Sequence, residues 1–117
     1  MPAYNFQKRF VSLIENGEKH QTIRKIRRSG NPKTGSDLFL YQGLRTKQCR
    51  LIRAVSCTSV SQIIFTENMG IMIDDKWLYS EDREKLAVAD GFTGFEDFRK
   101  FFSSKYELPF TGLLIEW

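Results

Sequence analysis

Gly17-Glu18-Lys19-His20-Gln21-Thr22-Ile23-Arg24 is the stretch in which a predicted helix ends and a predicted strand begins. Gly17 suits the position just after a helix, where glycine adopts a positive φ without strain. Residues 21–25 are predicted to form a strand, so Thr22 and Arg24 should face the same side of it. Together with Lys19 they place an amine, a hydroxyl and a guanidinium close together, available for binding or for chemistry.

The rest of the N-terminal half is predicted to add one helix and several strands. An apolar stripe with helical spacing predicts a helix over residues 7–16. The stripe consists of Phe6, Phe10, Leu13 and Ile14. A short buried strand is predicted over residues 38–41, and the longest β-like stretch covers residues 48–65. Its alternation slips near Ile52–Val55, which predicts a bulge or a strong bend there.

The C-terminal half is predicted to contain a hairpin, two helices and a last strand. The hairpin covers residues 71–78, and the first helix covers residues 80–89. Thr93 and Glu96 have the spacing of a capping box for the second helix. The apolar stripe of that helix consists of Phe95, Phe98 and Phe102. The final strand is predicted over residues 113–117.

The composition indicates one folded domain. The chain has 117 residues, 41% of them hydrophobic, including ten phenylalanines, which suits a single packed core. The order of the elements predicts an α+β domain that spans residues 1–117. No apolar run approaches the roughly 20 residues that a membrane helix needs, so we expect no membrane partner.

The cysteines and the single histidine predict no metal site. Cys49 and Cys57 lie in one predicted strand, where their separation of about 26 Å prevents a disulfide. We expect both to be buried small side chains in a reducing cytoplasm. One His and two Cys do not form a zinc pattern, so neither a metal nor another cofactor is expected. His20 cannot supply a two-histidine acid–base site, but it stays a candidate for one member of a site.

Positive charge is concentrated in the first half of the chain. Residues 1–53 carry +9 and residues 54–117 carry −5, which together give the net +4. This asymmetry is typical of a protein with a polyanionic partner, although the two halves could also attract each other in the fold. The candidate nucleic-acid-binding residues are Arg24, Lys25, Arg27, Arg28, Arg45, Lys47 and Arg50.

The pattern G-x-K-x-x-T-I-R at residues 17–24 is similar to the signature of the ASCH domain, a branch of the PUA-like superfamily. Further features extend the resemblance over nearly the whole chain. They are Tyr4 to Phe10 with Ile14, Gly35 before Leu38 to Tyr41, Asp90-Gly91-Phe92, and Pro109 to Gly112 before Leu113 to Trp117. The entry of residues 45–50 into a long strand resembles the small ASCH proteins of phages and prophages. The resemblance implies a small PUA-like β-barrel with flanking helices, and an association with RNA and modified nucleosides.

The resemblance and the basic half favour a binding domain. We expect the basic cleft around the motif to hold RNA, a nucleoside or a nucleotide. The alternative is a small hydrolase that acts on RNA as a ribonuclease, or on a modified nucleoside, with Lys19, Thr22 and Asp90 as the catalytic group. One branch of the family hydrolyses the amide of N4-acetylcytidine with a Lys, a Thr three residues later and a distant Glu. Asp90 stands in place of that Glu, with a side chain shorter by one methylene.

Aromatic side chains and a protein partner are the remaining open points. The aromatic residues could stack a base at the mouth of a pocket, but in a small domain most aromatics belong to the core. The candidates are Tyr41, Phe65, Trp77 and Tyr79, of which Trp77 is expected to be partly exposed. A protein-interaction module of phage origin is a third possible class, and no residue identifies its partner.

Overall fold

The computed structural model describes residues 2–117 of the chain. These residues form three helices and eight strands in two sheets, which confirms the α+β prediction. The helices are α1 (Lys8–Glu15), α2 (Ser80–Ala89) and α3 (Phe95–Lys105). The strands are β1 (Ala3–Phe6), β2 (Gln21–Lys25), β3 (Asp37–Gln42), β4 (Arg50–Ser56), β5 (Ser59–Phe65), β6 (Ile71–Ile73), β7 (Lys76–Leu78) and β8 (Phe110–Glu116). No helix in the described residues has the length and hydropathy to cross a membrane.

The first sheet has the strand order β1-β3-β4. Strand β1 runs parallel to β3, and β4 runs antiparallel to it. The register shifts where Leu40 pairs with Arg53 and Tyr41 pairs with Leu51, which leaves Ile52 as an extra residue in β4. The bulge predicted near Ile52–Val55 is therefore confirmed at the first residue of that range.

The long β-like stretch over residues 48–65 is two strands, so the prediction of one strand was wrong. The chain leaves the first sheet at Cys57, whose N–H donates to Ser36 O at 2.8 Å, and joins the second sheet at Thr58, whose N–H donates to Glu116 O at 2.9 Å. Both halves are rich in β-forming residues, so composition does not mark the switch between sheets. Cys57 is buried as expected, but Cys49 precedes β4 and is exposed, which corrects the prediction for that thiol.

The second sheet is antiparallel and has the order β2-β8-β5-β6-β7. Strand β8 lies between β2 and β5, and Gly112 is the residue that lets β2 approach it. A Cβ at Gly112 would stand 2.6 Å from Arg24 O, so only glycine fits against that backbone. The hairpin between β6 and β7 turns at Asp74 and Asp75, both with positive φ (46° and 67°), as a two-residue hairpin turn of this type requires.

Two arginine side chains join β1 to the second sheet. Arg24 Nη2 donates to Asn5 O at 2.7 Å, and Arg27 Nη2 donates to Ala3 O at 2.6 Å. Strand β1 is an edge of its sheet, and these guanidinium groups satisfy carbonyls that the strand would otherwise expose. The basic segment predicted to bind nucleic acid therefore also has a structural role at this seam.

The core is aromatic where α3 packs on the second sheet. Phe98 is fully buried, with its ring centroid 4.7 Å from that of Phe102, 5.4 Å from that of Phe92 and 5.7 Å from that of Phe65. Such tilted and edge-to-face pairs stabilise a core beyond their buried area. Phe65 is 0% exposed, so it belongs to this core, as expected for most of the aromatic residues, and is not available to stack a base.

Two local predictions about the helices also need correction. Phe6 lies in β1 rather than on the first helix, because α1 begins only at Lys8. The capping box of Thr93 and Glu96 does not form. Instead Asp97 Oδ2 accepts a hydrogen bond from the Thr93 N–H at 3.0 Å, within the loop that precedes α3.

Candidate functional site

Four buried polar side chains stand out among the described residues. Lys19 and Asp90 are each 2% exposed, and Gln21 and Thr22 are each 4% exposed. Polar and charged groups are costly to bury unless they are paired. Three of them lie in the 17–24 segment and the fourth lies at the end of α2, where the fold brings it to the same place.

Lys19 and Asp90 form a buried ion pair. Lys19 Nζ lies 3.3 Å from Asp90 Oδ1, and it also donates to the main-chain carbonyl of Asp90. Gln21 Nε2 donates to the same carboxylate oxygen at 3.3 Å. The sequence left open whether Asp90 reaches Lys19, and the structure places the two side chains in contact in spite of the short carboxylate side chain.

Local backbone geometry brings Asp90 to Lys19. Asp90 is the C-cap residue of α2, and Gly91 follows with a φ of 97°, a conformation that favours glycine. A Cβ at Gly91 would stand 2.8 Å from Phe10 Cδ1 and 3.2 Å from Lys19 Cδ. Glycine therefore provides both the turn and the room in which the lysine stem passes to the carboxylate.

Burial pushes both members of the pair toward their uncharged forms. Burial lowers the pKa of Lys19, and the attraction and hydrogen bond of Asp90 oppose this shift only in part. Burial raises the pKa of Asp90 against the opposing effects of Lys19, Gln21 and Arg24. Moving one proton from the amine to the carboxylate converts the ion pair into a neutral pair without change in total charge. Both shifts have the direction that acid–base chemistry at this pair would require.

Thr22 and Arg24 contact each other on one face of β2, as predicted. Arg24 Nε donates to Thr22 Oγ1 at 2.9 Å. The Thr22 hydroxyl keeps its own proton free to donate, because the arginine occupies only an acceptor position of the oxygen. Within the described residues Lys19 Nζ hydrogen bonds to Asp90 and not to Thr22, so the amine and the hydroxyl are not directly connected.

A small, partly open cleft of about 40 Å³ lies beside these groups. Its polar walls carry Lys19, Thr22, Arg24 and Asp90. Its apolar walls are aromatic side chains from β1, α1, the loop after α2, and α3. They are Phe6, Phe10, Phe92, Phe101 and Phe102. Aromatic side chains beside convergent polar groups are typical of a site for a small organic ligand.

The other predicted basic residues do not line this cleft, and they differ in exposure. Arg27 is partly buried at the seam, whereas Lys25 and Arg28 are exposed at and beyond the end of β2. Arg45 and Lys47 are exposed in the loop before β4.

Asn5 connects that loop to the cleft. Its side-chain Oδ1 accepts from the Leu44 N–H at 2.8 Å, and its main-chain O accepts from Arg24. Asn5 itself lines the cleft, so the loop that carries Arg45 and Lys47 contacts a residue of the cleft through the main chain of Leu44. Arg50 differs from the other candidate nucleic-acid-binding residues, because it forms an ion pair. Its Nη1 lies 3.5 Å from Glu15 Oε2, and that carboxylate partly neutralises its charge.

Sequence reasoning missed part of the site. Gln21 was predicted only as the start of a strand, and Phe101 and Lys105 were not predicted to belong to the site. Gln21 donates to Asp90, and Phe101 and Lys105 line the cleft. A hydrophobic stripe that includes Phe98 does not reveal that α3 ends at the cleft. Conversely, His20 is exposed and does not line the cleft.

The aromatic residues proposed for base stacking do not line this cleft either. Tyr41 is partly buried, whereas Trp77 is 50% exposed and Tyr79 is 75% exposed. The expected partial exposure of Trp77 is thus confirmed. No group of three or more His, Cys, Asp or Glu side chains in residues 2–117 is arranged to hold a metal ion.

No protein-family model, curated protein or solved structure matches the chain. The similarity to the ASCH signature therefore rests on the residues themselves.

Proposed function

We propose that the protein is an ASCH-type domain that binds a nucleotide or RNA through the cleft beside Lys19, Thr22, Arg24 and Asp90. The observation that carries the proposal is the convergence of three buried polar side chains, Lys19, Thr22 and Asp90, on one cleft that phenylalanine side chains also line. A fold retains buried charges at a cost in stability, and such exceptions concentrate at functional sites. Exposed cations of the basic segments add attraction for phosphate.

We also propose that the fold is a PUA-like barrel. In such a barrel the two sheets have to be joined, and the hydrogen bonds of Arg24 and Arg27 to β1 at the seam described above support this. On this proposal Arg24 has two roles, because its guanidinium holds the seam and also lines the cleft.

The binding proposal is tested by the salt dependence of RNA affinity. Fluorescence anisotropy with a labelled single-stranded RNA should show affinity that falls steeply between about 50 and 200 mM salt. The double variant Arg45→Ala/Lys47→Ala should reduce the slope of log K against log salt by about 1.4, if each residue contacts one phosphate. Lys76→Ala, an exposed lysine in the acidic half, is the matched control and should keep the slope. Affinity that does not change with salt would contradict the proposal.

A second candidate function is hydrolysis of an amide on a modified nucleoside such as N4-acetylcytidine. The observation that favours it is the contact of Lys19 with Asp90 in the cleft that also contains Thr22. In this reaction neutral Lys19 accepts the Thr22 proton, and Thr22 Oγ1 attacks the acyl carbon. Protonated Asp90 then gives its proton to the leaving amine, and water releases the acyl group from Thr22. Because Thr22 now contacts Arg24, the bound substrate has to bring the Lys19 amine to the hydroxyl first.

Hydrolysis is tested by incubating the protein with N4-acetylcytidine and, separately, with single-stranded RNA. Activity should disappear in Lys19→Ala and in Thr22→Val, and Thr22→Ser should keep a measurable part of it because serine retains the hydroxyl. If the wild-type protein and the Lys19→Ala variant are equally inactive toward N4-acetylcytidine, this reaction is excluded. Equal RNA cleavage by both proteins would point to a contaminating nuclease.

A further inference from the structure

The charges that line the cleft do not balance. Lys19, Arg24 and Lys105 are cationic and Asp90 is the one carboxylate among the lining residues. Asp90 forms its ion pair with Lys19. No carboxylate in the described residues lies within ion-pairing distance of Arg24 or Lys105. Two positive charges are thus left at the cleft without a counter-ion from the described part of the protein.

Arg24 is held firmly but keeps free donors. Its Nε is bound to Thr22 and its Nη2 to Asn5, and its guanidinium carbon lies 4.7 Å from the centroid of the Phe6 ring. A guanidinium has five N–H donors, so most of its donors remain available for a ligand. Because these contacts fix the side chain, a ligand would bind to a preformed group.

Lys105 brings a second cation to the cleft from the last residue of α3. Its Nζ lies 5.3 Å from the centroid of the Phe101 ring and 5.6 Å from that of Tyr106, and no hydrogen-bond acceptor for it is found within the described chain. Partial burial, and then the positive charge of Arg24, lower its pKa. The positive charges of Arg24 and Lys105 repel each other, and an anion bound between them would offset this repulsion.

We propose that Arg24 and Lys105 form a phosphate subsite, so that the ligand of the cleft is a phosphorylated nucleoside or an RNA phosphodiester and not a free nucleoside. The aromatic side chains Phe6, Phe10 and Phe101 give the base an apolar surface next to the subsite. This inference rests on the proposed function and deepens it, because it names the part of the ligand that the two cations recognise.

The test compares ligands with and without phosphate by isothermal titration calorimetry at low salt. The probes are the four ribonucleosides and N4-acetylcytidine, their 5′-monophosphates, and a dinucleoside monophosphate. At least one monophosphate or the dinucleoside should bind about tenfold more tightly than its nucleoside, as expected for charge-assisted hydrogen bonds. A gain confined to the monophosphate assigns a terminal phosphate, and a gain with the dinucleoside assigns the RNA backbone.

Variants of α3 assign the gain to the subsite. Lys105→Gln should abolish the advantage of the phosphorylated ligand and leave nucleoside affinity unchanged. Lys100→Gln removes an exposed lysine of the same helix and should behave as wild type.

Two results would overturn the inference while leaving the proposed function intact. They are equal affinity for nucleoside and phosphorylated ligand, and an equal effect of Lys105→Gln on both. Absence of binding for every probe would overturn the inference, and the proposed function would fall with it only if the labelled single-stranded RNA also fails to bind.

Discussion

Replacing one member of the Lys19–Asp90 pair should destabilise the protein by about 3–5 kcal/mol, because the remaining charge would be buried without its partner. Both side chains are 3% exposed and their charged atoms are 3.3 Å apart, so each charge depends mainly on the other for its stabilisation. Total stabilities of small domains are about 5–15 kcal/mol. Asp90→Asn and Lys19→Met should therefore each remove a large part of the free energy of unfolding.

The double variant Lys19→Met/Asp90→Asn should cost much less than the sum of the two single changes. It removes both charges, and the remaining loss of about 2 kcal/mol comes from the Asp90 carbonyl, which loses the amine that donates to it. The two substitutions should thus be coupled by at least about 3 kcal/mol, which is large even for residues in contact.

Urea unfolding followed by circular dichroism measures the four free energies of this cycle. The control is the cycle for Glu81 and Lys85, whose atoms are 3.7 Å apart but whose side chains are 85% and 73% exposed. An exposed pair of this kind contributes little, so its two substitutions should be additive within error. Additivity within about 0.5 kcal/mol for Lys19 and Asp90 would refute the conclusion that they form a coupled buried pair.

Further outcomes are expected for pH, for the turn and for the core. Because the pKa of Lys19 is lowered from 10.5, the unfolded chain binds more protons than the folded one just below that pH. Stability should therefore rise as the pH approaches 10.5, and Lys19→Met should flatten this rise in urea midpoints. Gly91→Ala should lower the thermal midpoint and cost about 1–3 kcal/mol, since its Cβ would stand 2.8 Å from Phe10 Cδ1; an unchanged midpoint would show that the turn relaxes. Phe98→Ala should cost about 3–5 kcal/mol in calorimetry because the ring is fully buried, and a loss below about 1 kcal/mol would contradict its place in the core.

Most of the local structure followed from the sequence. Strand β2 and helix α2 begin and end at the residues predicted, and the β6–β7 hairpin turns at Asp74-Asp75 as expected. Each of these elements is marked by its own residues, such as Gly17 after α1.

The predictions failed where contacts with neighbouring elements determine the structure. The 48–65 stretch is split between two sheets because Cys57 and Thr58 hydrogen bond to different sheets, a choice that strand propensity does not contain.

Half of the candidate site also followed from the sequence. The alternation of side chains on β2 places Thr22 beside Arg24, and the structure confirms the contact at 2.9 Å. Asp90 is also unusual in the sequence, because an acidic residue at the C-terminal end of a helix opposes the helix dipole. Its pairing with Lys19 explains why it is tolerated there. Lys105 gave no such signal, because a lysine in the last turn of a helix is favourable without any function.

The sequence by itself determined the local features of this protein: the helix and strand periodicities, the turn at Gly17, and the shared face of Thr22 and Arg24. These depend on residues a few positions apart, so the chain geometry alone specifies them. Only the tertiary structure decided that Lys19 meets Asp90, 71 positions later, and that α3 brings Lys105 to the same cleft. The physical reason is that burial and charge pairing depend on which elements pack together, and burial is what moves the pKa values of Lys19 and Asp90 toward the neutral pair.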